Sequence, residues 1–108
     1  MATLIIDGIS DIVRVTLSDM VLVRTFSAGV HFGFLKERKG KEVTLVNARR
    51  LWEWSGACSL SQVAVDGVET NSKITVPVGM ICLTEAIEII SMSPKAVKQM
   101  TEMKAWKK

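Results

Sequence analysis

The sequence predicts a β-rich α+β fold: a single domain over residues 1–108, with five to seven mostly antiparallel strands, a short central helix and a C-terminal helix. Three observations predict it. Short β-branched runs of alternating polarity recur between Ile12 and Ile90, punctuated by Gly, Ser and Asp. Two stretches carry helix-start signals, Ser59-Leu60-Ser61-Gln62 and Ser93-Pro94. A chain of 108 residues, 48% hydrophobic and 23% charged, has the size and balance of one globular core. That balance excludes a disordered, collagen-like or coiled-coil chain.

Taken in order, Ile12–Leu17 alternates and predicts a strand, and Met20–Phe26 a second, with Ser18-Asp19 as the turn between them. After the break at Ser27-Ala28-Gly29, Val30–Leu35 resumes an extended pattern. There Val30, Phe32 and Phe34 share one face, and His31, Gly33 and Leu35 the other. Glu37–Lys41 predicts a charged hairpin tip with Gly40 at a positive-φ position, and Glu42–Asn47 returns as the partner strand. Ala48–Trp54 fits either a strand or a helix turn; the alternation of Arg50, Trp52 and Trp54 favours the strand. Ser59 to Gln62 forms a capping box for a short helix that stops at Asp66-Gly67. Lys73–Val78 alternates as a strand, and Pro77, which cannot donate a ladder hydrogen bond, predicts an edge or a bulge there. Met80–Thr84 and Ala86–Ile90 predict two more strands or one bent one. Ser93-Pro94 opens the last helix, along which Val97, Met100 and Met103 form an apolar stripe. Residues 1–10 and 104–108 are expected to fray.

The net charge of +3 is unevenly spread. Residues 36–50 hold six basic side chains against two acidic ones, and residues 94–108 hold five lysines against Glu102. The segment 51–93 between them holds five acidic residues against Lys73. A lysine-rich terminus reads first as a solubilising end, so nucleic acid is the disfavoured partner. Cys58 and Cys82 form no CxxC and are expected as buried, reduced core thiols. The start of the chain has no basic head, and Asp7 interrupts its apolar run, so no signal peptide is expected. The longest uncharged run, Trp54–Val65, is twelve residues, well short of the roughly twenty a membrane helix needs. A reducing cytoplasm is the expected compartment, with no membrane partner.

Catalytic chemistry has few candidates. His31 is the single histidine, and no HxH, HExxH, CxxC, GxSxG, P-loop or GxGxxG occurs. No metal, no cofactor and no enzymatic activity are expected. Binding remains. Arg49, Arg50, Trp52, Trp54 and Ser55 form the densest constellation: arginine forks match phosphate oxygens, and indoles stack on bases. Lys36 and Arg38 on the charged tip, and His31, complete the candidate set. The same residues fit a second reading in which Trp52 and Trp54 are core or subunit-interface residues and the arginines lie over them.

Ser27-Ala28-Gly29-Val30-His31-Phe32-Gly33, the run Asn47–Ala57, Ser59-Leu60-Ser61-Gln62 and Glu85–Ile90 resemble a family of small, uncharacterised tailed-phage proteins over roughly residues 24–94. The resemblance implies a phage product acting in the host bacterial cytoplasm, or a minor virion component; it lends no catalytic residues. By analogy with small phage proteins that act against host defence, the expected function is a homo-oligomeric sponge. Such a protein sequesters a nucleotide immune signal without cleaving it. The alternatives are a protein-binding inhibitor of a host defence enzyme and a virion or assembly protein. Exposed sheet edges in a small β-rich domain favour the homo-oligomer.

Overall fold

The computed structural model describes residues 3–5, 14–16 and 19–107. Two short strands, β1 (Thr3–Ile5) and β2 (Arg14–Thr16), pair antiparallel with each other. The remaining elements are β3 (Met20–Thr25), β4 (Val30–Lys39), β5 (Glu42–Glu53), α1 (Leu60–Asp66), β6 (Lys73–Ile74), β7 (Val78–Leu83), β8 (Ala86–Ser91) and α2 (Pro94–Thr101). β3 to β8 form one antiparallel sheet in the order β6-β5-β4-β3-β8, with β7 also pairing β5. The protein is therefore the β-rich α+β domain its patterning predicts. Of the expected turn at Ser18-Asp19, Ser18 lies outside the described residues and Asp19 forms a bend. No helix among the described residues is long and apolar enough to cross a membrane.

Local chemistry accounts for most of the elements. Gly40, at φ 60, leads the two-residue turn between Lys39 and Glu42, where a hairpin of this length favours glycine. Pro77 falls between β6 and β7, so one edge is broken into two strands at the residue that has no amide proton to give. Ser59 Oγ accepts from Gln62 N, and Gln62 Oε1 turns back to accept from Cys58 N, closing the start of α1. Ser93 Oγ accepts from Ala96 N at the start of α2.

β7 and β8 lie on opposite edges of the sheet, yet only Thr84 and Glu85 join them. The sheet must curl to allow this. Ile81 of β7 and Ile89 of β8 pack on the same cluster, whose buried members include Val21, Val23, Leu35, Val43 and Leu45. The concave side thus makes its own core. The convex side makes a second one: Leu22, Phe32, Leu51 and Ile74 pack against Val63 and Ala64 of α1 and Ala96 and Met100 of α2.

A bulge in β5 decides which residues serve which core. Phe32 pairs with Arg49 and Phe34 with Val46, so Asn47 and Ala48 together oppose Gly33. Asn47 takes the left-handed conformation, φ 51. Gly33 leaves room for the bulged backbone: a Cβ there would lie 2.9 Å from Ala48 Cα. Before the bulge the odd-numbered residues Val43 and Leu45 face the concave core, and after it the even-numbered Ala48 and Arg50 do.

The cysteines depart from expectation, because both thiols are exposed. Cys58 sits in the loop before α1, held by its neighbour Gln62 rather than by the core. Cys82 lies on the outward side of β7, since Ile81 and Leu83 take the inward positions.

Candidate functional site

β4 and β5 place His31 directly opposite Arg50. His31 is 2% exposed, and its Nε2 accepts a hydrogen bond from Arg50 Nε at 3.1 Å. That bond fixes the tautomer: Nε2 is the acceptor, so the ring proton sits on Nδ1. Nδ1 is buried and has no partner. Burial, and secondarily the positive charge of Arg50, lower the imidazole pKa to about 4, so the ring is neutral at pH 7.

Arg50 stands between two cavities. One, of about 160 Å³, is lined by His31, Ala48, Arg50, Thr75, Val76, Val78 and Ile81 and is mostly apolar. The other is an open groove of about 420 Å³ between the turn Ser27–Val30 and the strand residues Arg50, Leu51 and Trp52. Trp52 is 56% exposed and stacks on Trp106, with ring centroids 6.0 Å apart and planes 20° from parallel. Lys73 Nζ lies 5.3 Å from the Trp106 ring and also pairs with Glu53 at 3.1 Å. The chain after α2 returns to the sheet to build this corner, with Trp106 N donating to Ile74 O at 2.8 Å.

Of the residues singled out by sequence, His31, Arg50 and Trp52 come together here. The others sit elsewhere. Arg49 points to the opposite side of β5, where its guanidinium donates to the carbonyls of Thr75, Met100 and Thr101. Trp54 is half-buried against the helix-side core. Ser55 clasps a loop, its N–H donating to Ser72 Oγ and its hydroxyl to Asn71 Oδ1. Lys36 and Arg38 are exposed at the far end of the hairpin. Arg38 pairs with Val43, seven residues along β5 from Arg50, or roughly 20 Å at the rise of a strand. Sequence reasoning did not find Trp106, Lys73 or the Ser27–Val30 wall as parts of this corner. Trp106 carried a signal, a lone aromatic in a lysine-rich end, but nothing local assigns it a partner 54 positions away.

The groove can hold an anion against Arg50 and a flat ring against Trp52. No carboxylate or thiol among the described residues lines it.

No curated protein and no solved structure matches the chain. Residues 18–100, the span from just before β3 to the end region of α2, match a family described as a domain of unknown function (DUF6948), and the chain belongs to that family.

Proposed function

We propose that this protein binds a phosphate-bearing, nucleotide-type small molecule and holds it without cleaving it. In a phage setting this is the action of a sponge for a host nucleotide immune signal. The observation that carries the reading is the Arg50 guanidinium. Its Nε is anchored by a neutral, buried His31, and it opens onto a groove of about 420 Å³ that the exposed Trp52 lines beside it on β5. Anchoring one edge of a guanidinium leaves its terminal amino groups for a phosphate at little further entropic cost. An indole face is a stacking platform for any base. The groove's size falls within the range of small-molecule sites.

The test is native mass spectrometry of the protein purified gently from bacteria with active nucleotide signalling. The wild type is expected to carry added mass equal to a nucleotide, and Arg50→Ala to be folded and bare. A wild type that carries nothing, and that binds no member of a nucleotide panel, overturns the reading. The reading includes self-association through the exposed edge strand β7, where Val78 and Met80 are 44% and 55% exposed. The same spectra report that state.

A second reading has its own observation. Phe26 is 78% exposed, and its amide bonds Glu85 O, beside the exposed Ile87 of β8. Exposed aromatic and aliphatic side chains in one region suit a protein partner such as a host defence enzyme. A stoichiometric complex lost on Phe26→Ser would favour this reading; a nucleotide adduct with no protein partner would exclude it.

A further inference from the structure

A second groove lies on the other side of β5, between the sheet and the chain that leaves α2. It has a volume of about 550 Å³. Met20, Phe34, Pro77, Val97, Met103 and Ala105 give it apolar walls, and no acidic side chain among the described residues lines it. Phe34 remains 39% exposed within it, a large aromatic face that the fold leaves uncovered.

One cation among the described residues lines this groove. Arg49 is 6% exposed, and its Nε donates to Thr75 O at 2.8 Å. Its Nη1 donates to Met100 O at 3.1 Å and Thr101 O at 3.4 Å, the last carbonyls of α2. Those carbonyls offer the partial negative charge of a helix end, about half a unit. No ion pair to Arg49 exists among the described residues. Burying a full positive charge without an acid is costly. A guanidinium also has five N–H donors, and the acceptors among the described residues all lie against Nε and Nη1. Nη2 has no protein partner among the described residues, and the one buried side-chain atom there without a partner is His31 Nδ1. The Arg49 side chain lines the groove, so Nη2 is the donor left for a ligand there.

We propose that this groove binds an amphipathic monocarboxylate, with an acyl or aryl body on Phe34, Val97 and Met103 and a carboxylate accepting from Arg49 Nη2. One cation balances one negative charge, which favours a carboxylate over a doubly charged phosphate. The apolar walls favour a hydrocarbon body over a sugar. This site is separate from the Arg50 groove, because Arg49 and Arg50 project to opposite sides of the same strand.

The probe is decanoate, titrated below its micelle-forming concentration and followed by the methionine methyl signals in NMR, with decan-1-ol as the uncharged control. Decanoate is expected to saturate with shifts at Met20 and Met103, and to bind at least tenfold more tightly than the alcohol. Arg49→Gln removes the charge but also loosens the end of α2, so the deciding variant is Phe34→Glu on the exposed wall. It is expected to weaken decanoate at least tenfold, while Arg50→Ala leaves it unchanged. Absence of saturable shifts, equal affinity for acid and alcohol, or decanoate binding unaffected by Phe34→Glu each overturns the proposal.

Discussion

A neutral imidazole buried beside a guanidinium makes folding depend on pH. The His31 pKa falls from 6.5 to about 4 on folding, so between those values the unfolded chain binds more protons than the folded one. Stability is full above pH 6.5 and is lost as pH falls toward 4, by up to about 3 kcal/mol at 1.36 kcal/mol per unit. Urea midpoints measured from pH 7 to pH 4 are expected to fall more steeply for the wild type than for His31→Gln, which keeps an acceptor for Arg50 Nε but does not titrate. Equal slopes would show that the ring protonates freely in the folded protein. The existence of a single, half-hidden histidine was legible in the chain. Its pairing with Arg50 was not, because residues 19 positions apart become neighbours only through the β4–β5 register.

At the scale of elements, the helix starts are the most local features and the ones best read from sequence. Ser93 shows what such a start contributes beyond its own helix. Its hydroxyl accepts from Ala96 N and donates to Val65 O, and its backbone N–H donates to Ala64 O at 2.9 Å, so one residue caps α2 and ties it to α1. Ser93→Ala is expected to cost about 1–2 kcal/mol, the upper part of the range for losing an N-cap, read as a lower urea midpoint with an unchanged slope. A loss under about 0.3 kcal/mol would mean that water replaces both bonds. The strand β5 is the contrasting case. Its extended character over Ala48–Glu53 follows from alternation, but the alternation changes phase at Asn47-Ala48. A bulge is invisible to period-two counting, and this one sends Arg49 to the helix side and Arg50 to the concave side.

At the scale of the whole molecule, the chain after α2 closes the fold. Trp106 reaches back to Ile74 and stacks on Trp52, joining the C-terminal region to the end of β5. Stacked aromatic pairs contribute about 0.5–1.5 kcal/mol beyond the area they bury. Trp106→Ala is expected to lower stability by about 1–2 kcal/mol in urea unfolding and to change the Trp52 fluorescence in the native state. A loss under about 0.3 kcal/mol would mean that the two rings do not stack in solution. The curl of the sheet belongs to this scale as well. β7 and β8 are adjacent in sequence and were readable as a pair of strands, but they join opposite edges, and that closure creates the concave core.

The sequence by itself determined the β-rich α+β class, both helix starts, the Gly40 hairpin, the edge position of Pro77 and the concentration of arginine and tryptophan around residues 49–54. Each of these depends on interactions within a few residues, where backbone conformation follows from side-chain type. The tertiary structure alone decided that both cysteines are exposed, that Arg49 and Arg50 serve different grooves, that Trp54 enters the core while Trp52 stays in solvent, and that Trp106 joins the corner at Trp52. These outcomes depend on strand register, on one bulge and on the curl of the sheet. A shift of one residue in register exchanges the two faces of a strand, so a local pattern cannot fix them.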